Sequence, residues 1–511
     1  MQDLYKFENY VHPEFYKKLL DLKELGENPY DIKSFEKTDI IQIRQEAEVE
    51  LGKSYKTAGR VKAIRRHGKA MFFDIEDSTG KIQIYLKADV VGKDKYKFIA
   101  DHMKVGDIVG VEGETFITRT GELSIQTKYI MFLSKVLRPL PEKWHGLKDA
   151  EIRYRQRYLD LLVNKEVFNN FKKRFEMQWE TRSFMAEWGF IEVETPILQP
   201  IAGGAAAKPF VTYHNFLELE LFLRIAPELY LKRLLVGGFE KVFEMGRVFR
   251  NENISNRHNP EFTMLEAYAA YKDYTYMMQL TETLIATLAE KIRGSFKIPF
   301  VKEENGKRIE YEVDLTPPFQ VKTYLEVASE AAGEEITEET PNDKLIDIAK
   351  QMEIELTGNE SWGELVELIY SEGEKGITQP TFIIDYPIDI SPLAKRKTEK
   401  LTERFELIIN GWELANAFSE LNDPEDQFNR FMQQLERAGV DKDRDFHRFD
   451  ADYVLALCYA MPPAAGLGIG IDRLAALING LSSIKEVILF PTIKPQINLK
   501  LEEDKEVDAG A

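Results

Sequence analysis

The stretch FEMGRVFRNENISNRHNPEFTMLEAYAAY (residues 243–271) reads as two strands joined by a basic, Asn-rich loop. Alternate side chains along a strand share a face. The spacing therefore predicts Arg250 and Glu252 on one face of the first segment, and Phe262, Glu266 and Tyr268 on one face of the second. A cation, acids, a phenol and an exposed ring make a poor core. They suit a nucleotide held beside a small charged molecule.

Composition sets the frame around this hairpin. A chain of 511 residues is expected to hold roughly three domains, and a 44% hydrophobic share is ordinary for globular cores. No apolar run approaches the ~20 residues of a spanning helix, and the opening MQDLYKFENY carries no signal-peptide pattern. Cys458 is the single cysteine, which excludes an intramolecular disulfide and a cysteine-based zinc site. The expected address is the cytoplasm, with no membrane association. A formal charge of −18 argues against non-specific nucleic-acid binding by the whole surface. Positive charge is densest at Arg60, Lys62, Arg65, Arg66, His67 and Lys69, and acid collects at 334–339 and in the tail 502–511.

Texture changes along the chain. Residues 1–54 are predicted helical, with helix-spaced apolar residues over 14–25 and Gly26 and Pro29 as the stop. Over 55–137 come short alternating strands: TAGRVKAI, AMFFDIED, KIQIYL, DIVGVEGETFIT and LSIQTKYIMF. About five strands in ~80 residues predict a small barrel of the OB type. The Pro-rich LRPLPEKWHG (137–146) marks a linker over 138–160. Residues 161–495 are expected to form an α+β domain, a mostly antiparallel sheet flanked by helices. It should include a long helix over about 168–188, the strand FIEVETPIL, and an acidic helical insertion at about 325–378. Residues 496–511 read as a disordered acidic tail.

Further motifs join the hairpin. LRIAPELYLKRL puts Glu228 after Pro227 at a helix start, and GWELANAFSELNDP alternates Asn416, Phe418 and Glu420 onto one strand face. GLGIGIDRL leads closely spaced glycines into a helix bearing Arg473; ending in Arg rather than Gly, it is no dinucleotide fingerprint. Singly, each has a plain explanation: Arg250 a surface ion pair, Phe262 core, Glu406 and Glu413 the solvated face of a helix. Together, the two arginines suit phosphate, the two glutamates suit magnesium, and Phe262 suits stacking on a purine.

On these motifs the chain resembles the class II aminoacyl-tRNA synthetases, and among them the lysyl branch, over nearly its full length. EVETPIL with Pro196, FRNE…RHNPEFTMLE and GLGIGIDRL match the three class II motifs. GGAAAKPF, RIAPELYLKRL, RHNPEFTMLEAY and FSELNDP carry the lysyl resemblance, and GKAMFF, KIQIYL and TGELSI match the lysyl anticodon-binding barrel.

The resemblance implies ATP-dependent activation of L-lysine to lysyl-adenylate, with pyrophosphate released, then transfer to the 3′-terminal ribose of lysine tRNA. It implies Arg250 on the α-phosphate, Arg473 on the γ-phosphate, Phe262 stacked on adenine, Glu252 near its amino group and His258 near the phosphates. Glu406 and Glu413 are implied as ligands of Mg2+, about three ions accompanying ATP. The substrate's α-amino group is implied to meet Glu228 and Gly204, and its ε-ammonium Glu420 and Tyr268, with Asn416 and Phe418 shaping the pocket. Arg65, Phe72, Gln83 and Glu122 are implied to read the U-rich anticodon. A homodimer built on the first motif's helix and strand is implied too.

The chain departs from the lysyl pattern at Lys208 (usually Arg), Asn253 (Gly), Cys458 (Glu), Ala460 (Gly) and Ala464 (Thr). These bear on rate rather than on fold or substrate class. An aspartyl or asparaginyl enzyme is the nearest rival, but Glu420 would repel an aspartate side chain. A non-catalytic relative would be expected to have lost Arg250, Glu406, Glu413 or Arg473, and all four are present. The short paralogue that modifies an elongation factor lacks the barrel.

Overall fold

Small alternating side chains and turn glycines close residues 54–134 on themselves. In this computed structural model, which describes residues 5–141, 149–205, 207–304, 307–437 and 450–494, the chain divides into two compact units, within Met1–Ala150 and Glu151–Lys494. The expected acidic tail, and residues 142–148 of the expected linker, lie outside the described residues. Among those residues no helix is long and apolar enough to cross a membrane.

The first unit opens with α1 (Pro13–Glu24) and α2 (Ile40–Val49). Pro13 at the first helical position and Gly26 at φ 75° after the last turn frame α1. Strands β1 (Ser54–His67), β2 (Ala70–Glu76), β3 (Lys81–Lys87), β4 (Ile108–Ile117) and β5 (Leu123–Ser134) form a closed barrel ordered β1-β2-β3-β5-β4. Helices α3 (Ala88–Val91) and α4 (Lys93–His102) bridge β3 to β4. Val61, Phe73, Ile75, Ile84, Val111 and Ile125 fill the interior, leaving their strand neighbours outside.

The second unit begins with α5 (Ala150–Arg155), α6 (Arg157–Val163) and the 23-residue α7 (Lys165–Glu187). FIEVETPIL is less regular than its pattern suggested. Only β6 (Ile191–Glu192) and β7 (Leu198–Gln199) are strand, and the latter joins β8 (Val211–His214) and β9 (Leu219–Leu223) in a small sheet. Then come α8 (Glu228–Val236), the hairpin β10 (Lys241–Phe249) and β11 (Glu261–Ala270), α9 (Tyr274–Leu288), and the hairpin β12 (Lys297–Glu304) and β13 (Lys307–Asp314). Strand β14 (Gln320–Thr323) precedes α10 (Tyr324–Ala332), α11 (Asn342–Gln351) and α12 (Trp362–Glu374), which pack around Tyr324, Leu365 and Ile369. The chain continues through β15 (Thr381–Ile384), β16 (Arg404–Ile409), β17 (Trp412–Ser419), α13 (Pro424–Arg437), α14 (Ala451–Leu457), β18 (Ala464–Gly470) and α15 (Ile471–Asn479).

Eight of these strands make one sheet, ordered β14-β15-β16-β17-β18-β11-β10-β6, antiparallel except at its two ends. One face is apolar. Leu265, Ala267 and Ala269 of β11, Phe405 and Leu407 of β16, and Leu467 and Ile469 of β18 pack against Leu280 and Leu284 of α9 and Leu474 of α15. The even-numbered residues of β11 therefore face the other way.

A buried carboxylate fastens α15 to this sheet. Asp472 Oδ2 accepts the Thr263 N–H of β11 at 2.7 Å. Its Oδ1 pairs with Arg174 of α7, whose Nη1 also donates to Val487 O at 2.7 Å. Removing one member of a buried pair leaves the other uncompensated. Arg174→Met is therefore expected to destabilise the second unit by about 3–5 kcal/mol. The check is the denaturation midpoint of that unit, with the barrel's own transition unmoved.

Candidate active site

The polar face of the large sheet carries a cavity of about 470 Å³. Its floor is the glycine strand. Gly466 of β18 lies opposite both Tyr268 of β11 and Phe418 of β17, and Gly468 lies opposite Glu266 and Asn416. A Cβ on Gly466 would fall 2.1 Å from Glu420 Oε1 and 2.5 Å from the Tyr268 ring, so only glycine fits there.

One end of the cavity is basic. Strand β10 stops at Phe249, so Arg250 and Glu252 sit in the loop rather than on the strand face the alternation predicted. Arg250 stacks its guanidinium over the Phe262 ring at 5.3 Å. Burial lowers its pKa, which still leaves it cationic. Arg473 Nη1 donates to Glu413 O at 2.6 Å, and its Nη2 lies 3.2 Å from His258 Nε2. Burial, then the neighbouring Arg473 charge, lowers the His258 pKa, so the ring is neutral at pH 7. Arg250, Glu252, His258, Phe262 and Arg473 all line the cavity.

Glu406 and Glu413 are on adjacent strands, not on a helix face. Register runs Glu406↔Asn416 and Leu407↔Ala415, then slips to Ile408↔Glu413. The extra residue, Leu414, is a bulge that turns Glu413 onto the same face as Asn416. Burial, then the Glu413 charge, raises the Glu406 pKa to about 7. Arg404 Nη2 meets Glu406 Oε1 at 2.5 Å, and Arg473 Nη1 lies 3.3 Å from Glu413 Oε2. Two carboxylates that repel across a strand pair are oxygen donors of the kind magnesium takes, and no fuller set of three acid, His or Cys ligands exists among the described residues.

The other end is acidic. Glu228 begins α8 and lines the cavity with Gly204, Tyr268, Asn416 and Phe418. Glu420 is fully buried behind Gly466; its Oε2 lies 2.5 Å from Lys232 Nζ, and its Oε1 has no hydrogen-bond donor among the described residues. Lys232 Nζ also reaches Glu228 Oε1 at 2.5 Å. Burial opposes the Lys232 charge, but Glu228 and Glu420 outweigh it and raise its pKa. Sequence reasoning missed Lys232, although its place one helical turn after Glu228 was visible in ELYLK. Glu266, left without a role by its pattern, is buried here and accepts the Tyr268 hydroxyl at 3.2 Å.

The barrel presents a second constellation. Arg65 pairs across strands with Phe72, Phe72 with Tyr85, and Asp74 with Gln83. Phe73, not Phe72, enters the core. Phe72 stacks on Tyr85 at 4.6 Å, and Tyr85 continues to Phe116 at 5.7 Å, an aromatic strip of which only Phe72 was singled out from sequence. Arg65 pairs with Asp74 at 3.1 Å, and Ser124 donates to Gln83 Oε1 at 2.9 Å. Glu122 is exposed in the β4–β5 turn.

The model for class II tRNA synthetases of the D, K and N group matches residues 149–494, and that for the OB-fold nucleic acid binding domain matches 55–133. A lysine–tRNA ligase of Syntrophomonas wolfei is 50% identical over 484 residues, covering 94% of this chain and 96% of the relative. The lysine–tRNA ligase of Thermotoga maritima is 48% identical over 497 residues, with 96% of each chain covered. The chain belongs to the lysine–tRNA ligase family of class II synthetases.

Departures from that family's pattern are local. Asn253, standing where the family has glycine, lines the cavity and does not take a positive φ. Ala460 does: at φ 72° it sits where glycine is at ease, at a cost of about 1–2 kcal/mol. Lys208 contributes its carbonyl to Asn251 N–H at 2.7 Å, and Ala464 its carbonyl to Glu420 N–H at 2.8 Å, functions independent of the side chain. Cys458 is exposed.

Burial, then the Glu228 charge, raises the Glu266 pKa from 4.5 to about 8. Between those values the folded state holds a proton that the unfolded state lacks, so this group's contribution to stability falls as pH rises. Tm of the ligand-free protein should decline from about pH 5 to 8 relative to that of Glu266→Gln. Parallel curves for the two would refute the shift.

Proposed function

We propose that this chain activates L-lysine with ATP and transfers it to lysine tRNA. The observation that carries the reading is the unpartnered, fully buried Oε1 of Glu420 behind the cavity's glycine floor. A buried carboxylate oxygen without a donor is costly, and a substrate ammonium is the natural donor. Glu228, with Gly204 beside it, takes the α-amino group. Glu420 and Tyr268 take the ε-ammonium, and Asn416 and Phe418 bound the aliphatic stem.

At the basic end Arg250 holds the α-phosphate and Arg473 the γ-phosphate, with guanidinium forks matched to phosphate oxygens. Phe262 stacks on adenine, Glu252 meets its amino group, and neutral His258 donates near the phosphates. The lysine carboxylate attacks the α-phosphorus, pyrophosphate leaves, and the tRNA ribose hydroxyl then displaces AMP from the carbonyl. No covalent enzyme intermediate is required; positioning and charge complementarity supply the rate. Glu406 and Glu413 would hold Mg2+, about three ions with ATP, whose charge neutralises the phosphates.

The tRNA-reading surface is the outer face of the barrel, with Arg65, Phe72, Gln83 and Glu122 contacting the anticodon. Bases stack on exposed rings in OB folds, and the strip from Phe72 to Phe116 supports that use. Residues 55–137 serve this role and 161–495 the activation chemistry. The active form is a homodimer, supported by exposed Trp179 and Phe175 on α7 and Ile191 on β6. The cytoplasm is its place of work. A pocket ending in Glu420 disfavours the aspartyl and asparaginyl alternative.

Pyrophosphate exchange with ATP and each amino acid should be stimulated best by lysine; stimulation by aspartate alone would overturn the reading. In that assay Glu420→Gln is expected to raise KM for lysine roughly a hundredfold, equivalent to ~2–3 kcal/mol, and to leave KM for ATP nearly unchanged. Equal effects would remove Glu420 from the lysine site. Stacking on a base is worth about 1–3 kcal/mol. Phe72→Ala should therefore weaken tRNA charging roughly tenfold in kcat/KM while exchange stays at the wild-type rate. Loss of both activities would refute the division of labour.

A further inference from the structure

Lys232 has no part in the chemistry described so far, yet it sits between two buried carboxylates of the cavity's acidic end. Its side chain is fully buried, and its Nζ lies 2.5 Å from Glu228 Oε1 and 2.5 Å from Glu420 Oε2. The rings of Phe418 and Tyr453 flank the ammonium at 5.3 and 5.9 Å. Solvent does not reach the ammonium, so these groups alone compensate its charge.

The two glutamates are held asymmetrically. Each gives one oxygen to Lys232, and each turns the other toward a glycine of the cavity wall. Glu228 Oε2 is 3.6 Å from where a Cβ of residue 204 would stand, and Glu420 Oε1 is 2.1 Å from where one of residue 466 would stand. Gly204 and Gly466 both line the cavity, whereas Lys232 does not. Three acids, Glu228, Glu266 and Glu420, are buried at this end beside Lys232.

We propose that Lys232 is a positioning residue of the amino-acid subsite: its ammonium bridges Glu228 and Glu420, so that each acid presents one oxygen to the substrate. The proposal rests on the lysine reading of the cavity. Lys232 touches no substrate and acts through the two carboxylates. Tethered to Glu228 by one turn of α8 and to the end of β17 by Glu420, it also sets the separation of the two acids. A chain with both glutamates but no bridging cation would hold excess buried negative charge, and the acids would take up protons or turn away from the wall.

The test is exchange kinetics on Lys232→Met and on Lys232→Gln, which keeps hydrogen-bond donors without the charge, each in the wild-type and in the Glu420→Gln background. In the wild-type background both variants should raise KM for lysine about thirtyfold and change KM for ATP less than about threefold. In the Glu420→Gln background the same substitutions should change KM for lysine less than about threefold, because the bridge is already broken. Equal effects in the two backgrounds, unchanged KM for lysine, or parallel loss of ATP affinity would overturn the proposal. So would failure of both variants to fold, which would make Lys232 a residue of the core. Wild-type exchange that lysine does not stimulate would instead sink the lysine reading itself, so the two failures are distinguishable.

Discussion

Three buried glutamates at one end of a cavity are the constraint on which the rest of the catalytic unit depends. Ionised carboxylates do not stay in a low-dielectric interior without compensation. Lys232 answers two of them directly, at 2.5 Å each. Glu266 receives only a hydroxyl from Tyr268, and burial pushes its pKa up to about 8. The site thus holds under-compensated acids that a cationic ligand would satisfy. Binding energy and specificity then have one origin, since a neutral side chain would leave the same oxygens unpaired.

Holding acids in this way requires a rigid wall, and the large sheet supplies it through register. Glycines at alternate positions of β18 face Tyr268, Phe418, Glu266 and Asn416 on the two neighbouring strands, so the floor is low where the walls are tall. The bulge at Leu414 makes the complementary adjustment in β17. Without it Glu413 would point into the apolar face among Leu407 and Ala415; with it, Glu413 joins Glu406. Asp472 fixes the other boundary by tying Arg174 of α7 and the Thr263 amide of β11 to the helix that delivers Arg473.

Much of this was legible in residue order. Alternation found the barrel strands, because a period of two needs only local sequence. Helix spacing, with Gly26 and Pro29 as the stop, located α1. What local pattern could not register was whatever another strand decides. Strand β10 ends at Phe249 because its next rung is one-sided: Arg250 N–H donates to Pro260 O at 2.9 Å, but proline has no N–H to return. Hence Arg250 and Glu252 leave the strand face that a strict alternation assigns them. Glu406 and Glu413 looked like a helix face because their spacing fits two turns, while the bulge that joins them on a sheet has no signature in composition. FIEVETPIL is strand-like in every residue, yet only its first part pairs with β10, and Leu198 pairs with β9 instead.

The same reasoning explains why the two ends of the cavity could not exchange roles. At the basic end the acids that repel one another, Glu406 and Glu413, are each met by an arginine that also faces the cavity, Arg404 and Arg473. Such pairs open without leaving a buried charge unsolvated, because a divalent cation and phosphate oxygens can replace both partners at once. At the acidic end Lys232 is sealed behind the wall and has no route to solvent. Its ion pairs are buried, and only the outward oxygens of Glu228 and Glu420 face the cavity wall. A polyanion finds exchangeable counter-ions on one side; a dication finds fixed, incompletely paired acids on the other. Under the proposed function, which ligand each end of the cavity takes is therefore written in which ion pairs are free to break.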